Sequence, residues 1–290
     1  MHYIWNDIRP EPKRWREGIR LLDHAFKVNE QNPGAQRPVA WELGSLYGIE
    51  EDWIRAAYYW RIGKGENTPQ FILACLKLGN DTKPIQQLNL LGSDQTRFGS
   101  IIRLWGEAEK LSTALQMADE GAEKGLRDMT CLAAGSACRY AGEFPLAAFY
   151  FNRAATTWKG TQDATQNRKW ARDGKEAMEA ISWIDLSSLK DGTYEGEGQG
   201  YNDKLTVMLT VENEMIASVE VTKHNEKQPL NTLTIIPKAI VRQQGIQRVD
   251  TMTGATFTAE GIVHAAAKAL AKAGTPLPDQ VPYTEPQEEE

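Results

Sequence analysis

The residues best equipped for chemistry lie together late in the chain, in Asp250-Thr251-Met252-Thr253-Gly254-Ala255-Thr256-Phe257-Thr258. After them, Ala259 to Ala273 is rich in strong helix formers, with an apolar stripe at Ile262, Val263, Ala266 and Leu270. Gly274 followed by Pro276 supplies a stop. The spacing therefore predicts a loop that delivers Thr256 to the start of a helix. Thr258 is the candidate N-cap, since its hydroxyl can accept a bond from a free N–H of the first turn. Gly254 and Ala255 put almost no side chain beside the Thr256 hydroxyl, so a large group could come close to it. A helix N-terminus gathers unpaired N–H donors and a partial positive charge, which suits a phosphate. The segment thus offers an open threonine hydroxyl beside an anion site. The plainer alternative is a glycine-containing turn capped by Thr258, with no chemistry of its own.

Asp250-x-x-Thr253-Gly254-Ala255-Thr256 resembles the flavinylation motif of the FMN-binding domain family, which includes flavin-carrying components of sodium-pumping NADH:quinone reductases and of Rnf complexes. The resemblance runs from about Asp191 to Gly274. It takes in Asp191-Gly192-Thr193-Tyr194-Glu195-Gly196, a strand pair, and Val249-Asp250 leading into the motif. It implies FMN joined by a phosphodiester to the last threonine of the motif, here Thr256. It also implies that Asp250, Thr253, Gly254 and Ala255 are what a flavin transferase recognises. Asp250 then either caps the Thr253 or Gly254 N–H within a turn, or helps the transferase position Thr256, through a metal ion.

Other chemistry finds little support. His2, His24, His224 and His264 form no ligand pair at helical spacing. His264 falls on the helix after the motif and reads as a surface or boundary histidine, with an approach to the flavin as the weaker alternative. Cys75, Cys131 and Cys138 lack Cys-x-x-Cys spacing and read as buried free thiols. A net charge of −6 argues against a nucleic-acid surface. With neither an acid–base pair nor a nucleophile beside a histidine, the expectation is an electron carrier rather than an enzyme with its own substrate. The cofactor would do the redox work while redox partner proteins dock to it. A reductase acting on a small molecule is a weaker option. The alternative from another class is a protein-interaction scaffold whose FMN-like region stays unflavinylated.

The elements that position the motif read as α+β from about residue 186 to 275. Leu205, Val207, Leu209 and Val211 alternate with polar residues, and Met215, Ala217, Val219 and Val221 return after Glu212-Asn213-Glu214. One face of this hairpin is expected to pack under the helix that follows Thr256. Asp191-Gly192 and the Gly196–Gly200 run are turn-rich, and the resemblance implies that this segment forms the first strand and the bend after it. Ile235–Val241 resembles the short helix before the motif. His224-Asn225-Glu226 departs from the glutamate-threonine pair often found in the family.

Residues 1–160 read as helix after helix. Gly44, Tyr47, Trp53, Ala56, Trp60 and Gly63 share their offsets with Gly135, Cys138, Phe144, Ala147, Phe151 and Ala154. Ile102, Trp105, Leu111, Ala114, Ala118 and Gly121 repeat the spacing loosely. Glu17 to Ala25 looks like the second helix of a further copy. The pattern resembles degenerate tetratricopeptide repeats, with an extra segment between Pro69 and Leu91 broken near Asn80–Pro84. Such an array implies either a docking platform for a peptide or protein partner or a spacer. Trp53, Trp60 and Trp105 are expected in its core, with Trp5 and Trp15 sealing its open end.

Residues 161–185 are expected to form a connecting helix. The carboxy-terminal part, from about Ser182 to Gly274, is expected to hold its own core and fold alone. Residues 276–290, with four prolines and a run of glutamates, read as a disordered tail. Met1–Trp5 leads into charged sequence without a signal-peptide pattern, and no apolar run reaches membrane-spanning length. The resemblance favours an extracytoplasmic location with a leader or anchor missing from this chain; the free thiols favour the cytoplasm instead.

Overall fold

The computed structural model describes residues 12–80, 82–91, 97–227, 232–250 and 255–277, with side chains from residue 16 onward. Trp5, the Trp15 side chain, Thr253, Gly254 and all but the first two residues of the expected tail lie outside the described residues. Helices α1 (Pro12–Val28), α2 (Pro33–Ile49), α3 (Trp53–Ile62), α4 (Pro69–Lys77) and α5 (Thr82–Leu91) come first. They are followed by α6 (Phe98–Glu107), α7 (Leu111–Gly121), a wide turn at Ala122–Leu126, α8 (Arg127–Ala141), α9 (Phe144–Ala155) and α10 (Ala164–Ile181). Local signals fix many of the boundaries. Asn32, Asp52 and Thr68 cap α2, α3 and α4 with side-chain oxygens, and Pro33 and Pro69 open the first turns of their helices. Gly142, at φ 86°, ends α8 in the left-handed region that favours glycine.

Small residues at the crossings let the helices approach. A Cβ on Gly44 would lie 2.6 Å from the Trp60 ring, and one on Gly135 would lie 2.5 Å from the Phe151 ring. Both pairs share one offset in the sequence, so the shared spacing records shared helix–helix contacts.

The second region begins with β1 (Ile184–Asp185), β2 (Gly192–Gln199), β3 (Lys204–Glu212) and β4 (Met215–Lys223). Helices α11 (Thr232–Gln243) and α12 (Thr256–Ala273) follow, then β5 (Thr275–Pro276). Strands β2, β3 and β4 make an antiparallel sheet in that order, with β3 central. Asn213 and Glu214, at φ 53° and 62°, close the β3–β4 hairpin with the positive φ pair that matches strand twist. Leu205, Val207, Leu209 and Val211 face inward, as their alternation predicts. The turn-rich Gly196–Gly200 run is strand as far as Gln199, and the chain bends after it, at residues 201–203, before β3. Gly196 and Gly198 press against the α12 backbone, where a Cβ would strike the carbonyls of Ala265 and Gly261.

Helix α12 is buried on nearly every side. Besides the predicted stripe, Ala259, Ala265, Ala267, Ala269 and Ala273 are fully covered. It packs on β2 and β3 with one face and on α10 with another. An alanine helix can be enclosed in this way because its thin faces admit a neighbour on each side.

The apolar core does not divide near residue 186. One continuous cluster runs from Ile72 and Leu88 through Trp105, Cys138, Phe151, Trp170 and Met178 to Leu209, Ile262 and Leu270. A second cluster joins α1 to α4 through Leu22, Leu43, Tyr47, Trp60 and Phe71. Helix α4 serves both: Phe71, Ala74 and Cys75 face one cluster, Ile72 and Leu73 the other. Helix α10 therefore does more than connect. Trp170, Ala171, Met178 and Ile181 are buried between α9 and α12. A fragment spanning residues 182–274 is accordingly expected to lack a cooperative unfolding transition, because it loses the α8–α10 side of its core. Urea unfolding followed by circular dichroism checks this; a single sigmoidal transition would show that the sheet and α12 suffice.

Candidate functional site

Thr256 is the first residue of α12, and Ala255 is its N-cap, with no side-chain hydrogen bond from that cap. The opening N–H groups of the helix are thus left without intrahelical acceptors, at the positive end of the helix dipole. Ala255 is buried, while Thr256 is half-buried and its hydroxyl bonds to none of the described residues. Thr258 lies inside the first turn, which corrects its reading as N-cap. Its side chain is 1% exposed, and its hydroxyl donates to Glu226 Oε2 at 2.6 Å. The other Glu226 oxygen accepts from Asn202 N at 3.0 Å. Two nearby hydroxyls thus differ: Thr258 is committed to the core, and Thr256 bonds to none of the described residues.

An aromatic stack flanks this helix end. The Phe257 ring lies 3.4 Å from Trp170 of α10, at 7° between planes. Tyr201, 58% exposed, stacks 5.9 Å from Trp170. Trp170 Nε1 donates to Gly200 O at 2.9 Å, which fixes the indole.

Asp250 turns away from solvent toward the amino-terminal helices. Its Oδ2 lies 3.0 Å from Lys77 Nζ of α4, and the same ammonium sits 3.6 Å from Glu107 of α6. Two carboxylates share one lysine here. Burial, and then the Asp250 charge, push the Glu107 carboxyl well above its usual range. Burial pulls Lys77 down, but Asp250 and Glu107 outweigh it and hold the ammonium above its ordinary value.

Deeper in, charged groups run in a line under α12. Arg139 of α8, 1% exposed, donates from Nη1 to Ile246 O at 2.8 Å and Val249 O at 3.0 Å, and from Nη2 to Glu260 at 3.4 Å. Glu260 Oε2 is 3.4 Å from His264 Nε2, and His264 Nδ1 is 3.0 Å from Asp173 of α10. Asp173 also receives Gln199 N at 2.9 Å and Lys268 Nζ at 2.7 Å. His264 is 2% exposed, which corrects its reading as a surface or boundary residue. Burial raises both carboxyls, yet Arg139 and then His264 hold Glu260, and His264 and Lys268 hold Asp173, below the carboxylate range. Burial likewise lowers His264, but the bonds to Asp173 and Glu260 raise it above its ordinary value. The cysteines meet expectation: Cys75, Cys131 and Cys138 are buried and free, with burial pushing the Cys131 thiol up to about 11.

A wider groove, about 590 Å³, lies between α10, β2 and the last turns of α12. Lys268 on its wall is twelve residues beyond Thr256, or about 18 Å along the helix. Several of its cations are already engaged: Lys268 with Asp173 and Glu176, Lys204 with Glu197, and Lys272 with Glu195 O. The groove is therefore separate from the Thr256 end.

Residues 200–271 match the model of the FMN-binding domain family. The carboxy-terminal region is an FMN-binding domain. Its match covers Trp170's partner Gly200, the hairpin, Glu226 and most of α12. The chain is also similar to an uncharacterized protein of Treponema pallidum (strain Nichols), at 35% identity over 86 residues. That stretch is 29% of this chain and 24% of the relative, so this chain spans about a quarter of that protein. No solved structure matches the chain significantly.

The FMN-binding domain brings Asp250, Ala255, Thr256 and Thr258 to one end of α12, while Thr253 and Gly254 lie outside the described residues. Sequence reasoning missed Lys77, Glu107, Arg139, Trp170, Asp173, Glu226 and Glu260 around this end. The i,i+4 spacing of Glu260 and His264 was the one signal available for a buried pair.

The raised His264 value sets a pH dependence. A histidine held above its unfolded value of about 6.5 stabilises fully below that pH and loses the contribution as pH rises through its folded value. Unfolding free energy by urea titration is expected to fall above about pH 6.5 in the wild type. His264→Leu should flatten that slope and cost about 3–5 kcal/mol at pH 6, since Asp173 and Glu260 then lose a buried partner.

Proposed function

We propose that this protein is an electron-transfer flavoprotein that carries FMN covalently, through a phosphodiester to Thr256 Oγ1. The observation that carries the reading is the contrast at the start of α12. Thr256 has a hydroxyl that bonds to none of the described residues, at a helix end without a side-chain cap, whereas Thr258 is buried and bonded to Glu226. The residues present fit the group. The opening N–H groups of α12 would hold the phosphate, with Thr256 as its anchor and no acidic residue in the first turn to oppose it. Half-buried Phe257 and exposed Tyr201, both packed on the buried Trp170, offer aromatic surface for a flat ring system.

Attachment requires a flavin transferase supplied with FAD. The Thr256 oxygen–phosphorus bond forms, the pyrophosphate bond of FAD breaks, AMP departs and the hydroxyl proton is released. Bound FMN would supply one- and two-electron redox chemistry to partner proteins. The chain's own part is to anchor the group, orient it at the helix end and leave it within reach of a partner. Among the described residues no helix is long and apolar enough to cross a membrane.

Thr256→Ala is expected to abolish flavin that survives denaturation while leaving the melting temperature within a few degrees. Thr258→Ala should keep covalent flavin but lose about 1–3 kcal/mol, because Glu226 is left with an unmet buried oxygen. In-gel flavin fluorescence after denaturing electrophoresis, beside thermal melts, reads both. Covalent flavin in Thr256→Ala would refute the attachment.

A further inference from the structure

The five residues that lead to the attachment segment, within the FMN-binding domain, are bonded to the amino-terminal helices. Arg139 bonds the carbonyls of Ile246 and Val249. The next residue on α8, Tyr140, accepts from Arg248 N at 3.0 Å, and the Arg248 guanidinium reaches Glu109 at 3.0 Å. Lys77 then holds Asp250 itself, at 3.0 Å. Beyond Thr256, α8 returns and α10 joins it: Arg139 reaches Glu260, one turn into α12, and Trp170 of α10 stacks on Phe257. Both flanks of Thr256 are thus fixed by side chains from α4, α8 and α10.

We propose that Lys77 and Arg139 are positioning residues for flavin attachment, forming an intramolecular clamp that sets Asp250 and the start of α12 so that the Thr256 hydroxyl is presented. The inference rests on the reading of Thr256 as acceptor. It gives Asp250 a role the sequence did not indicate. Its Oδ2 is engaged by Lys77 and its Oδ1 is buried, so the carboxylate works as the anchor of the segment rather than as a handle for the transferase. It also gives the helical half a role beyond spacer or docking platform, because part of the attachment site is built on it. Fixing the chain on both sides of Thr256 removes conformations in which the hydroxyl faces elsewhere, and that conformational cost is then met by folding instead of by the transferase.

Arg139 is fully buried and its loss would disturb the fold, so Lys77, 24% exposed at its side chain, is the place to cut the clamp. The experiment compares full-length wild type, Lys77→Met and Lys77→Arg, each given FAD and a flavin transferase, with the rate of mass gain recorded. Hydrogen exchange of peptides covering residues 246–250 and 205–211 is measured on the same proteins. Lys77→Met is expected to take up flavin about tenfold more slowly, the effect of one charge-assisted bond. Exchange should quicken at 246–250 and stay unchanged in β3, and Lys77→Arg should recover most of both. A wild-type or faster rate in Lys77→Met overturns the proposal, whatever its exchange. If the wild type gains no flavin, the Thr256 reading fails instead. Exchange then decides the clamp by itself: unchanged exchange at 246–250 overturns it, and quickened exchange with rescue by arginine upholds it as a positioning contact.

Discussion

A guanidinium removed from water must find its partners inside the protein, and the two terminal nitrogens of Arg139 find them on both sides of one short segment. Its donors reach two carbonyls just before Asp250 and a carboxylate just inside α12. Each bond is charge-assisted, and an unpaired buried charge would cost several kcal/mol (about 3–5). The positions of Ile246, Val249 and Glu260 are therefore tied to that of α8. The remainder of the array follows from the same constraint. Glu260 needs a second cation, which His264 supplies; His264 needs a second carboxylate, which Asp173 supplies; Asp173 reaches the surface through Lys268.

The apolar side of the design depends on α12. Because alanine lines most of its circumference, the helix accepts the sheet on one face and α10 on another. Gly196 and Gly198 of β2 take the approach further, to backbone contact. A leucine-rich helix of the same length would hold its neighbours several ångströms farther away, and the line of charge from Asp173 to Arg139 would not close. Packing and electrostatics thus place the same helix end, and that end carries Thr256.

Much of this was legible in the sequence where the signal is local. The alternation of Leu205 to Val211, the return at Asn213 and the helix after the motif were all written in period and turn chemistry. The Gly44/Trp60 and Gly135/Phe151 contacts showed as a shared offset. What could not be read depends on partners far apart in the chain: Arg139 meets Ile246 across 107 positions, and no local pattern announces it. Thr258 misled for an energetic reason. A cap contributes about 1 kcal/mol, and a buried bond to Glu226 outweighs it, so the helix starts earlier with an uncapped Ala255. The extent of the core was hidden for a related reason: an alanine face has the same composition whether it meets water or another helix. The FMN-binding domain was nonetheless legible, because the motif residues that mark it lie close together in the chain.

The proposed attachment turns on whether an oxygen of this segment bears flavin, and which one. Tandem mass spectrometry of the tryptic peptide Val249–Lys268, from protein co-expressed with a flavin transferase, reads that oxygen directly. Attachment at Thr256 predicts one flavin mononucleotide on this peptide, with fragment ions placing its phosphate on that residue. Flavin on another residue, or flavin released in full when the protein is denatured, would contradict it.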